Sequence, residues 1–67
     1  MTRQEIAATI KARRNELQIS QSDLSIKTGI TREYFPAIES GSQNITVDKL
    51  ITICNALDLH ITINNKA

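Results

Sequence analysis

Glycine occurs only twice in this chain, at Gly29 and Gly41, and the two lie twelve residues apart. Both sit where a helix must stop. Gly29 accepts a left-handed backbone at little cost, so it ends a segment running from Gln21 to Thr28 that Ser20 starts as N-cap. Thr31 then caps another helix from Arg32 to about Ser40, and Gly41 closes it. Leu24 and Thr28 mark the inner face of the first of these helices, with Ser25 beside them. Ile30 follows the turn as an apolar anchor, and Phe35 and Ile38 give the second helix its core face. So the middle of the chain is two short helices joined by a tight turn.

The flanks extend the helical pattern. Thr2 to Leu17 reads as a helix, with Thr2 and Glu5 forming a capping-box pattern. Ile6, Ile10 and Leu17 share one face with Ala7 beside them, and Arg14 falls on that same face. Asn15 to Ile19 is a break, and Ser42 to Ile45 is a polar loop. Thr46 caps a fourth helix from Val47 to about Leu57, in which Val47, Leu50, Ile53, Cys54 and Leu57 form one apolar stripe. Cys54 within that stripe reads as a small buried hydrophobe rather than a reactive thiol. After Asp58 the period changes to two. Leu59, Ile61 and Ile63 alternate with His60, Thr62 and Asn64, which reads as a strand over 59–64, followed by a polar tail from Asn64 to Ala67. A lone strand cannot satisfy its own backbone groups, so it needs a partner. No second strand is evident in the chain, and the same strand of another copy is the economical partner.

Composition removes several alternatives. With 67 residues there is room for one domain, 1–67. A core of this size supplies only about 3–5 kcal/mol of net stability. The single cysteine forms no internal disulfide and fits a reducing cytoplasm. Cys54 and His60 alone do not make a closed zinc site, so no metal is expected. No apolar run approaches a membrane span, and Met1 to Glu5 does not read as a signal peptide. One histidine, one cysteine, no glycine-rich phosphate loop and no catalytic grouping of carboxylates argue against an enzyme, and no cofactor is implied. The net charge is only +1. A nucleic-acid partner must therefore be argued from the placement of residues, not from overall basicity.

Two short helices joined by a glycine-containing turn inside a helical bundle form a helix-turn-helix pattern. In the stretch QSDLSIKTGITREYFPAIESG, Gln21 opens the second helix, the small Ser25 follows four residues on, Gly29 sits in the turn, and Ile30, Phe35 and Ile38 supply packing. This resembles the Cro/repressor-type (XRE) helix-turn-helix family. The resemblance continues through NITVDKLITICNALDL and covers about Glu5 to Leu59. It implies an all-α, four-helix, lambda-repressor-like bundle that binds duplex DNA. Ser25 and Thr28 are more polar than the family's usual residues, Phe35 is bulkier, and Pro36 is unusual inside the reading helix. The family pairs an Arg at the end of its first helix with a Glu before the glycine that ends the third. Arg14 and Glu39 match those positions, which implies a structural ion pair.

The resemblance places the third helix in the major groove with its first residues on base edges. Arg32 can grip guanine, Glu33 can accept from cytosine, and Ala37 can touch a thymine methyl. Tyr34, Gln21 and Thr31 are candidates for phosphate, and Ser42, Gln43 and Asn44 form a loop able to follow the backbone. Lys27 and Arg13 would add charge. The stretch ALDLHITIN resembles the C-terminal strand of HipB-type antitoxins, which pairs between protomers. This implies a two-fold homodimer through Leu59, Ile61 and Ile63 and an inverted-repeat operator. The function implied is a sequence-specific transcriptional repressor, autoregulatory and the antitoxin of a toxin–antitoxin operon, with a cognate toxin protein as a further partner. A phage-type or restriction-control regulator without a toxin partner stays open, as does a protein-interaction module that has lost DNA binding. Ile26 is either a stray surface residue or part of a partner site.

Overall fold

The computed structural model describes residues 1–65, so the last two positions of the polar tail, 66 and 67, lie outside it. Four α-helices follow in order: α1 (Arg3–Glu16), α2 (Gln21–Thr28), α3 (Phe35–Ser40) and α4 (Val47–Ala56), with a 3₁₀ turn at Arg32–Tyr34 leading into α3. Their starts are capped as side-chain chemistry dictates. Thr2 Oγ1 accepts the Glu5 amide at 3.1 Å. At α2 the box is complete: the Asp23 amide donates to Ser20 Oγ at 3.0 Å and the Ser20 amide donates to Asp23 Oδ2 at 3.2 Å. Thr46 Oγ1 accepts the Lys49 amide at 3.2 Å. At Thr2 only the first half of the expected box forms among the described residues.

The helix ends share one device. Gly29 and Gly41 adopt φ of 74° and 78°, and Gln18 and Asp58 adopt 57° and 56° without the freedom of glycine. After each of these non-glycine residues the next amide reaches back to the last turn. Ile19 donates to the Arg14 carbonyl at 3.1 Å and Leu59 to the Cys54 carbonyl at 2.8 Å.

The core is a single cluster of Ile10, Leu24, Ile30, Phe35, Ile38, Ile53 and Leu57, with Ile6, Ile19, Ile45, Leu50, Ala56 and Leu59 packed around it. Phe35 is fully buried at its centre. α1 packs on α3 and α2 on α4. Arg13 adds a polar clamp, its Nε donating to the Leu57 carbonyl at the end of α4 at 3.0 Å. Among the described residues no helix is long and apolar enough to cross a membrane.

Three expectations need correction. Leu17 is 38% exposed and outside the core cluster, because the left-handed turn at Gln18 sends Ile19 into the core in its place. Val47 is 70% exposed: it opens α4, and Ile45 in the preceding loop covers the core there instead. No strand forms within 59–64 among the described residues. Leu59 folds back onto its own bundle, Ile61 is 44% exposed and Ile63 91%. The physical reason lies in the backbone. From His60 to Asn65 the chain makes no hydrogen bond to the rest of the described residues, and a strand exists only by pairing.

Candidate nucleic-acid interface

The reading element is braced from below by charge. Arg14 Nε donates to Glu39 Oε2 at 2.6 Å and Arg14 Nη2 to Glu39 Oε1 at 2.9 Å, a bidentate grip across 25 positions of sequence. Arg14 Nη1 also donates to the Ile19 carbonyl at 2.9 Å, and Gln21 Nε2 donates to Glu39 Oε1 at 3.2 Å. Glu39 is buried and has every oxygen engaged. The hydrogen bond to Glu39 raises the Arg14 pKa, burial pulls it partly back, and the carboxylate charge raises it again. One buried carboxylate thus ties α1, the start of α2 and the end of α3 to each other.

The turn between α2 and the reading element is held by the two residues that look too polar for it. Ser25 Oγ donates to the Ile30 carbonyl at 2.5 Å. The Thr28 hydroxyl donates to the Leu24 carbonyl at 2.8 Å and accepts the Ile30 amide at 3.2 Å. Their hydroxyls satisfy backbone groups at the point where the chain reverses.

Pro36 is explained by the same accounting. An α-helix from Arg32 would need a Pro36 N–H for the Arg32 carbonyl, and proline has none. The chain tightens by one residue instead. The Phe35 amide donates to the Arg32 carbonyl, and the Tyr34 amide donates to the Thr31 carbonyl at 3.1 Å. The α-helix proper then begins at Phe35, which leaves Pro36 in its first turn, where no partner is needed. The expected helix from Arg32 is therefore a 3₁₀ turn followed by a six-residue α-helix. The Thr31 hydroxyl makes no capping bond, contrary to expectation, because the Tyr34 amide it would accept is already used by the carbonyl.

Arg32, Glu33 and Tyr34 are exposed together on the 3₁₀ turn, with Thr31 exposed before them and Ala37 half-buried after them. Gln21 is half-buried, and its amide faces Glu39, leaving one amide hydrogen to donate elsewhere. Ser42, Gln43 and Asn44 are exposed beyond Gly41. The Ser42 hydroxyl lies 3.0 Å from that of Ser40, and the Ser42 amide donates to the Ala37 carbonyl at 3.1 Å. Asn44 Oδ1 accepts from the Arg3 guanidinium. Lys49 lies over the Tyr34 ring, its Nζ 4.8 Å from the centroid. Arg3 and Lys49 are the charges that sequence reasoning missed, because only the packing of α1 and α4 brings them here. Arg13 is committed elsewhere, to Leu57 and to Glu16 at 2.6 Å. Leu59, Ile61 and Ile63 belong to the C-terminal segment and do not contribute to this surface's bonds.

Two comparisons bear on this arrangement. The helix-turn-helix family model matches residues 10–64. An uncharacterized HTH-type transcriptional regulator, y4dL, of Sinorhizobium fredii (strain NBRC 101917 / NGR234) is 31% identical over 61 residues. That match covers 91% of this chain and 31% of the relative, so this chain spans about a third of that protein's length. The matched family is one of DNA-binding regulators rather than enzymes. With the glycine turn, the reading element and the buried Arg–Glu brace all inside the matched span, the chain belongs to the XRE-type helix-turn-helix family.

Proposed function

We propose that this chain is a sequence-specific transcriptional repressor that binds an inverted-repeat operator as a two-fold dimer and controls its own promoter from the cytoplasm. The observation that carries this reading is the group Arg32, Glu33 and Tyr34, exposed at the start of an element whose far end is anchored through Glu39. A side chain reads a base edge well only when its backbone is fixed, and here the fixing charge is buried while the reading groups are free. In this reading Arg32 takes a guanine, Glu33 a cytosine and Ala37 a thymine methyl. Tyr34, Thr31, Gln21 and the loop Ser42, Gln43 and Asn44 take phosphates.

The C-terminal segment supports the dimer. Among the described residues its backbone has no hydrogen-bond partner from His60 to Asn65, and Ile61 is 44% and Ile63 91% exposed. Two such segments, antiparallel, would satisfy each other's amides and carbonyls and bury Ile61 and Ile63 beside Leu59. The HipB-like character of this segment favours the antitoxin role over that of a phage-type or restriction-control regulator, with a toxin protein as second partner. Ile26 is 81% exposed on α2 and is free to meet such a partner.

Mobility shift against the region upstream of the gene tests the reading. A saturable shift that outlasts competitor DNA is expected. No shift at low salt from a folded dimer would overturn the repressor and leave a protein-interaction module. Co-purification with the product of the adjacent gene, lost in Ile26→Lys, is the outcome expected of an antitoxin.

A further inference from the structure

We propose that Lys49 is a phosphate-contacting residue of the interface and that Tyr34 positions it. The proposal rests on the DNA-binding reading above and adds to it a residue on α4, outside the helix-turn-helix itself.

Three observations converge on Lys49. Its ammonium lies 4.8 Å from the centroid of the Tyr34 ring, and Tyr34 is one of the exposed residues of the 3₁₀ turn, next to Arg32 and Glu33. A cation over an aromatic face is held in place without being neutralised, so it keeps its full charge for an incoming anion. Second, Lys49 takes part in no ion pair among the described residues; the two that form are Arg13 with Glu16 and Arg14 with Glu39. Third, Lys49 stands in the first turn of α4, where the dipole of its own helix disfavours a cation. Local helix stability does not account for a lysine there, whereas a phosphate partner does.

The charge inventory gives this weight. The chain has eight lysines and arginines and a net charge of +1. Arg13 and Arg14 are consumed internally. At a net charge of +1 the placement of the cations matters more than their number, and Lys49 stands beside the reading residues, over the Tyr34 ring. An unrestrained lysine would lose rotamer freedom on binding phosphate, and the Tyr34 ring removes part of that cost beforehand.

The test is the salt dependence of binding to a duplex from the upstream region and to an unrelated duplex of the same length. Each phosphate neutralised contributes about 0.9 to the slope of log K against log salt. Lys49→Gln is expected to lower that slope by about 0.9 per protomer on both duplexes, so that the affinity lost between about 50 and 200 mM salt shrinks by about 3.5-fold per protomer. Lys49→Arg should restore the slope. Tyr34→Phe keeps the ring and should keep the slope, even where a lost hydroxyl contact weakens binding. Tyr34→Leu should lower it, and should do nothing further to the slope in the Lys49→Gln background. Circular dichroism checks that each variant is folded; both positions are exposed. Wild-type chain that binds DNA while Lys49→Gln leaves the slope unchanged overturns this inference alone. Equal slope losses in Tyr34→Phe and Tyr34→Leu overturn the positioning role. Wild-type chain that binds neither duplex overturns the DNA-binding reading itself.

Discussion

Inside the bundle the Glu39 carboxylate accepts two donors from Arg14 and a third from Gln21. Removing one partner of such a pair strands the other, at a cost of about 3–5 kcal/mol. That equals the whole net stability expected of a core this small, about 3–5 kcal/mol. Arg14→Leu should therefore be largely unfolded in urea titrations at room temperature, while Arg14→Leu with Glu39→Leu recovers most of the loss. A single variant as stable as the double would deny the brace its importance. The two glycines differ in the same quantitative way. An added Cβ at Gly29 meets nothing within 4 Å, so Gly29→Ala should cost only the left-handed backbone, about 1–2 kcal/mol. At Gly41 the same Cβ would also come within 3.1 Å of the Gln4 Cα on α1, so the Gly41→Ala variant should melt at the lower temperature of the two. Cys54 brings a pH dependence. Burial pushes its thiol up, above the ordinary thiol range. The folded chain therefore holds this proton more tightly than the unfolded one. Its contribution to stability is complete below the ordinary thiol pKa and is lost as pH rises through the raised value. Cys54→Ala should flatten that alkaline decline in denaturation midpoints.

At the scale of elements, helix starts were legible and helix ends only partly so. Ser20, Thr46 and Thr2 announce α2, α4 and α1 because a side-chain oxygen three residues before an orphan amide is a local arrangement. Gly29 and Gly41 announce two ends for an equally local reason. Gln18 and Asp58 do the same work with exposed side chains, and only Asp58 is of a type that visits the left-handed region with any frequency. Because these two bear a left-handed backbone without being glycine, Gln18→Gly and Asp58→Gly should each raise stability, by about 0.5–1 kcal/mol after the entropy of glycine is deducted. Thermal melts would show it. Pro36 was legible as a disturbance of the reading helix, but its resolution was not: the 3₁₀ turn follows from where the Arg32 carbonyl finds a donor. Pro36→Ala returns that donor, and amide exchange at residues 34 to 36 should then report α-helical protection from Arg32 onward.

For the molecule as a whole, the sequence pattern found the centre of the core, because Ile10, Leu24, Phe35, Ile38, Ile53 and Leu57 recur at helical spacing and meet in one cluster, but it gave Leu17 and Val47 the places that Ile19 and Ile45 fill. It was insufficient for Arg3 and Lys49, which reach the candidate interface across 41 and 15 positions of sequence. It also over-read the C-terminus. Alternation of Leu59, Ile61 and Ile63 states a preference for extended backbone, and whether that becomes a strand depends on a second chain. Truncation after Asp58 should accordingly yield monomers in sedimentation equilibrium and weaken operator binding; a truncated chain that still dimerises would refute strand pairing. Under the proposed pairing, the backbone of His60–Asn65 would also set how the protein responds to its own abundance. Where monomers predominate, pairing makes the DNA-gripping species scale with the square of chain concentration, so halving the chain cuts it about four-fold. A promoter silenced by that species would reopen abruptly as the protein is depleted, with the sharpness of the response residing in six residues that have no hydrogen-bond partner among the described residues.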